Sequence, residues 1–303
     1  MLRLALLATL CCALWGSAFP VVKLGYALSA MTAGSAYQYM SYAGVRFILA
    51  GIILSALTGR KTGLPRREDW KPILWISLFQ TVLQYTFFYI GVAHTSGTGA
   101  SIVAGGNVFV ALLISALVFR YERLTPIKLA GCLMGFMGIL WVHLQDFTTL
   151  GEMNWLGEGL VFLATVSYAV STNLMKRFGR ERNPVLLAAY QFIVGGAIML
   201  AVGMAFGGTF SVGTPESIAV LVYLSGVSAF AYAIWSFLLK LYPVSSVAVF
   251  GFTTPIFGVV FSAVLLGETG VFDRSAVAIA LMLIAVGIAM VTRPENTRIK
   301  DFK

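Results

Sequence analysis

Charge is what this 303-residue chain lacks most. Only 11% of its residues are Asp, Glu, Lys or Arg, against 59% hydrophobic, where a water-soluble domain averages about 25% charged. So few charges cannot cover a water-facing surface. Cysteine is scarce too. Cys11, Cys12 and Cys132 all lie in apolar runs, which reads as small packing residues and excludes a disulfide framework or a thiolate metal site. There is no HExxH, no glycine-rich phosphate loop and no Cys/His ligand spacing, so neither a catalytic function nor a cofactor is expected. Ten-residue alternating strand patterns are also missing, which argues against a transmembrane barrel.

What is present is a succession of apolar runs of about 20 residues, the length that crosses about 30 Å of hydrocarbon as a helix. They predict an all-α integral membrane protein with ten transmembrane helices, at 4–27, 35–58, 71–93, 97–119, 126–144, 155–177, 185–206, 218–241, 244–266 and 273–292. Polar, Gly- and Pro-containing breakers such as "TGRKTGLPRRED", "RERNP" and "GGTFSVGTPE" separate them. The basic start "MLRLALLATLCCALWGSAF" has the look of a signal peptide, but the apolar run continues, and it is read as the first helix.

The basic residues orient the chain. With the N-terminus inside, 18 of the 21 Lys and Arg fall in inside segments and only Arg274 in an outside loop. That asymmetry predicts cytoplasmic N- and C-termini in a bacterial inner membrane. It also explains the net charge of +9 by topology and anionic lipid, so no nucleic-acid partner is expected. The expected partners are the bilayer and a small-molecule solute, with the protein a monomer or weak homodimer.

Ten helices divide into two sets of five, and an odd number per set inverts the second against the first. Residues 1–150 and 151–303 are therefore expected to be inverted repeats. Leu10, Trp15 and Lys23 align at an offset of 153 with Leu163, Tyr168 and Lys176. "SALVFRYE" (115–122) and "GILWV" (138–142) pair with "SAVLLGE" (262–268) and "GIAMV" (287–291).

Four stretches carry a family likeness: Trp15-Gly16-Ser17 with Lys23, Arg46-Phe47, "YERLTPIKLAG" (121–131) and "TPIFGVVFSAVLLGE" (254–268). Together they resemble the paired EamA repeats of the drug/metabolite transporter superfamily, over nearly the whole chain. The first half departs from the pattern, with Asn107 or Phe109 where a counterpart of Pro255 would stand. The resemblance implies ten helices around a central cavity lined by helices 1, 3, 4, 6, 8 and 9. It also implies export of a small metabolite, such as an amino acid or its derivative.

Polar groups at the bilayer midplane are costly and are functional candidates. Near the midpoints of those six helices lie Trp15, Gln80, Gln84, Asn107, Tyr168, Tyr232, Trp235 and Thr253, taken as candidate substrate-binding residues. Gln80 and Gln84 share a helical face. Trp15 and Tyr168 are repeat mates, and Thr253 stands just before Pro255, which frees a carbonyl. Lys23 and Arg46, the two basic residues inside helices, are candidate gating or charge residues. Lys23 is expected near the outer mouth and its mate Lys176 near the inner one.

Plainer roles are expected elsewhere. Gly131, Gly135 and Gly138 form a small-residue packing stripe. Glu122 and Glu268 cap a following helix or pair with nearby bases. His94 and His143 hydrogen-bond near outer helix ends. All twelve acids fall in loops, tails or helix ends. A carboxylate that exchanges proton and cation at mid-depth is therefore missing, which favours a neutral or zwitterionic solute moved by alternating access. An exchanger of organic anions or phosphorylated metabolites, with Lys23 and Arg46 on the substrate, is the alternative in transport. A non-transporting membrane scaffold is the alternative outside it.

Overall fold

The computed structural model describes residues 2–32, 35–95, 97–142, 155–266 and 274–293, and among them no strand occurs. The described residues form ten helical rods in chain order. They are α1 (Leu2–Leu28), α2 (Ala36–Thr62), α3 (Arg67–Val92), α4 (97–118), α5 (Pro126–Val142), α6 (155–181), α7 (Pro184–Ala205), α8 (Pro215–Leu241), α9 (244–266) and α10 (Arg274–Val291). Six of them, α1, α2, α3, α7, α8 and α9, are long and apolar enough to cross a membrane by length and composition. Shorter apolar stretches occur in α4, α5 and α10.

Helix starts follow local chemistry. Pro184 opens α7 behind Asn183, whose side chain accepts from the Val185 and Leu186 amides. Thr214 and Ser217 form a reciprocal capping box before α8, with Pro215 at its first position. Such caps satisfy amides that have no partner inside the helix.

Packing in the bundle is interhelical and close. Helix α1 lies antiparallel against α8, with the Cys11 thiol donating to the Ala231 carbonyl and Ser17 hydrogen-bonded to the Tyr223 hydroxyl at 2.7 Å. It also lies against α9, where a Cβ on Gly16 would stand 2.4 Å from the Phe257 Cβ. That contact is why the "WGS" stretch needs its glycine. Helices α3 and α6 also pack antiparallel, with Gly91 against Gly157 and Gln80 bonded to Ser171.

Helices α2 and α7 cross backbone to backbone. A Cβ on Gly44 would meet the Gly196 carbonyl at 2.8 Å, and one on Gly196 would meet the Gly44 carbonyl at 2.7 Å. Helices α5 and α10 repeat this with Gly131 and Gly287, at 2.9 and 2.5 Å. Both pairs run antiparallel. Gly51 faces Ala189 while Gly203 faces Ser41, and Gly138 faces Ala280. The small-residue stripe of α5 thus has its partner in α10, except that Gly135 receives the Phe252 ring of α9.

Outward, large apolar side chains such as Leu6, Phe19, Ile52, Phe162, Phe230 and Met282 stand exposed on several helices. A surface this apolar is expected where lipid, not water, is the solvent.

Candidate functional site

Helices α3, α4 and α9 each deviate from α-geometry close to an expected site residue. Helix α3 takes a π-helical turn over Ser77–Leu83, the segment that carries Gln80, and such bulges re-aim side chains and concentrate at functional sites. Helix α4 breaks at Gly106, just before Asn107. Helix α9 tightens into a 3-10 turn over Val249–Phe252 before Pro255.

The two glutamines do share a face, as their spacing implied. Gln80 Nε2 donates to Gln84 Oε1 at 2.8 Å and also to the Tyr232 hydroxyl. Its Oε1 accepts from Ser171 Oγ of α6 at 2.5 Å. Gln80 is therefore fully bonded and only 4% exposed. It fastens α3, α6 and α8 together and sets the position of Gln84 and Tyr232, both of which flank the aromatic group beside it.

That group forms around Trp15. Its indole meets Tyr232 edge-on at 5.3 Å and Trp235 at 5.0 Å. Tyr232 in turn meets Phe192 at 4.9 Å. Trp15 is half-buried, whereas Tyr232 and Trp235 are buried. The Trp235 indole nitrogen is buried and finds no acceptor. Trp15, Gln80, Gln84, Tyr232 and Trp235, from three distant stretches of sequence, are thus assembled into one mid-bundle cluster.

Of the other candidates, Tyr168 interacts with Tyr232 and Tyr85 and so borders the cluster, whereas Asn107 and Thr253 turn inward. Tyr168 is half-buried one turn before Ser171, which donates to its carbonyl. Asn107 keeps a buried Oδ1 without a donor. The Thr253 hydroxyl is spent on the Phe250 carbonyl of its own turn at 2.7 Å, so this kink is satisfied from within.

The two basic candidates have opposite surroundings. Lys23 is exposed near the end of α1, two turns beyond Trp15. Arg46 is buried at 7% exposure, midway along the apolar stretch Ala36–Leu57 of α2. Tyr26, Tyr42, Tyr85 and Tyr89 surround its guanidinium, which also lies over the Phe47 ring at 4.6 Å. Tyr85 interacts with both Arg46 and Tyr232, so the arginine is joined to the aromatic cluster. The tyrosines were absent from the expected site. Tyr85 next to Gln84, with Tyr89 one turn on, was the available signal.

Lys176 corrects an expectation. It does not face an aqueous mouth but is buried, and its ammonium donates to the Leu239 carbonyl at 3.0 Å and the Tyr242 carbonyl at 2.5 Å. A cation at the C-terminal end of α8 satisfies carbonyls that have no helical partner. Glu122 behaves as expected. It pairs with Lys128 at 3.0 Å, accepts from Ser115 Oγ at 2.8 Å and from the Ser245 amide at 3.1 Å, and also takes the Ser245 hydroxyl, capping the start of α9. His94 is exposed at the end of α3, against the Ile90 carbonyl. His143 and Glu268 lie outside the described residues.

Comparison with known proteins accounts for this architecture. The pattern of the EamA-like transporter family matches residues 2–144 and again residues 155–293. An uncharacterized transporter of Archaeoglobus fulgidus is 28% identical, with 96% of this chain and 98% of the relative covered. An uncharacterized transporter of Synechocystis is 31% identical over 75% of this chain and 74% of its own length. One from Bacillus subtilis is 26% identical over 99% and 94%. A crystal structure only 20% identical superposes with a TM-score of 0.76 over 96% of this chain and 98% of its own, so the fold is shared at low identity. With both halves matched and the Archaeoglobus and Bacillus relatives covered almost end to end, the chain belongs to the EamA-like transporter family of multi-pass membrane proteins.

Proposed function

We propose that this transporter exports a small neutral or zwitterionic metabolite, such as an amino acid or its derivative, across a bacterial inner membrane by alternating access. The observation that carries the reading is the mid-bundle cluster of Trp15, Gln84, Tyr232 and Trp235 held in place by Gln80. Aromatic faces with polar tips beside an amide suit a compact amphipathic solute. The cluster draws on α1 and α3 from the first half and α8 from the second, so relative motion of the halves opens it first to one side and then to the other.

The reading takes residues 1–150 and 151–303 as inverted repeats. Reciprocal glycine contacts between α2 and α7, and again between α5 and α10, support it. Two antiparallel helices that contact one another through equivalent residues have a two-fold axis between them, perpendicular to both. Such an axis lies in the membrane plane. Cytoplasmic termini follow from the basic loops, and the mid-depth absence of acids favours transport without a carboxylate proton carrier.

Purified protein in liposomes tests the proposal. Loaded vesicles should release at least one labelled amino acid faster than empty liposomes, and Trp15→Ala should slow that release at least tenfold. If amino acids, nucleosides, sugars and organic anions all fail to cross, the transport reading is wrong and a scaffold role replaces it.

A further inference from the structure

Four charged side chains are buried among the described residues: Arg46, Asp69, Lys128 and Lys176. Three are answered within the fold. Asp69 receives Arg182 at 3.1 Å and the Arg66 amide at 2.8 Å. Lys128 pairs with Glu122, and Lys176 donates to two carbonyls. Among the described residues Arg46 has neither a carboxylate nor a carbonyl, and its hydrogen-bond partner is the neutral Tyr85 hydroxyl. Its surroundings are tyrosines and the Phe47 ring, and its Nε, buried, meets no acceptor. A buried charge without a partner of opposite sign is expensive, and in a membrane span it marks a functional position. Structural economy does not explain it, because a methionine or leucine would fill the place more cheaply.

We infer that Arg46 and its ring of tyrosines form the anion pole of the solute site, binding the carboxylate of a small organic solute whose apolar body lies against Tyr232 and Trp15. This rests on the transport reading above and narrows its substrate class. The guanidinium is a planar fork of five donors matched to a carboxylate. The tyrosine hydroxyls add further donors and no negative charge. Tyr85 supplies continuity, since it touches both Arg46 and Tyr232, and Tyr232 stacks edge-on with Trp15. An anion at Arg46 and an apolar group at Trp15 thus belong to one molecule of modest length. Lys23, exposed near the end of α1, is outside this arrangement.

The test uses acid and amide pairs on the full-length protein in detergent, read by thermal unfolding: L-phenylalanine with L-phenylalaninamide, L-leucine with L-leucinamide, and 3-phenylpropanoate with 3-phenylpropanamide. A ligand that binds the folded state raises the apparent Tm by mass action. At least one acid should raise Tm in the wild type while its amide at equal concentration does not. Arg46→Gln should abolish that rise, and Arg46→Lys should weaken half-saturation about tenfold, because the charge remains and the fork is lost. Tyr85→Phe, which keeps the ring and its packing, should weaken it severalfold and serves as the readout if Arg46→Gln fails to fold. An amide as effective as its acid, or acid binding that survives Arg46→Gln or is untouched by Tyr85→Phe, overturns the inference. So does failure of every acid in the panel. The transport reading stands or falls separately, on whether any solute crosses the liposome membrane.

Discussion

Two buried cations of this bundle teach by contrast. Lys128 lies in a latch with Glu122, Ser115 and Ser245 that ties the α4–α5 junction to the start of α9. Arg46 lies at mid-depth among tyrosines with its Nε unmatched. Both are about equally hidden from solvent, at 6% and 7% exposure. In the latch, attraction and hydrogen bonds offset the cost of burial, so the charge belongs to the fold. Around Arg46 nothing of opposite sign offsets that cost. The difference separates a charge answered by the fold from one whose burial the fold alone does not offset, as the inferred anion pole requires.

Mutation can break or sharpen this contrast, and the largest effect falls on the latch. Glu122→Ala should destabilise the protein by about 3–5 kcal/mol, because it leaves Lys128 buried without its partner. Adding Lys128→Met should recover much of the loss, a coupling that thermal unfolding of both single variants and the double variant would measure. If the two losses simply add, the latch is not a unit.

Next comes the hub beside the solute cluster. Ser171→Ala removes the donor to Gln80 Oε1 and should cost about 1–3 kcal/mol in unfolding free energy, the penalty for an unsatisfied buried acceptor. It should also lower flux by releasing Tyr232. Unchanged stability with unchanged flux would remove Gln80 as the organiser.

The smallest stability effect is expected at Arg46. Arg46→Met should change the unliganded unfolding free energy by no more than about 1 kcal/mol, of either sign, since no ion pair is lost. A loss as large as that of Glu122→Ala would erase the contrast and make Arg46 a structural residue.

Much of this was legible in the sequence, for stated reasons. The helical rods fall within a few residues of the apolar runs, because clusters of polar, charged, Pro and Gly residues separate those runs, whereas single Pro and Gly residues such as Pro20 and Gly44 are carried within helices. The Gln80–Gln84 contact followed from helical spacing and survives the π-turn. The Glu122 pairing followed from a loop acid close to a loop base. What sequence spacing cannot carry is contact across the bundle. Ser171 meets Gln80 and Tyr85 meets Tyr232 only because α3, α6 and α8 converge. The offset of 153 paired Lys23 with Lys176, yet one is exposed and the other buried under two carbonyls. A match in sequence offset does not fix a side chain's surroundings. Nor could the sequence show that the Thr253 hydroxyl, beside a proline kink, donates to a carbonyl of its own turn.

The glycine crossings carry one last consequence. Gly44 and Gly196 touch each other, and so do Gly131 and Gly287, with backbone on backbone and no side chain between. Each crossing brings two helix backbones to an approach that only glycine allows. It also makes the two halves mutually accountable. A methyl group added at Gly44 strikes the Gly196 carbonyl, and one added at Gly196 strikes the Gly44 carbonyl, so one joint is spoiled from either side. Neither position can take a side chain unless the facing helix gives way.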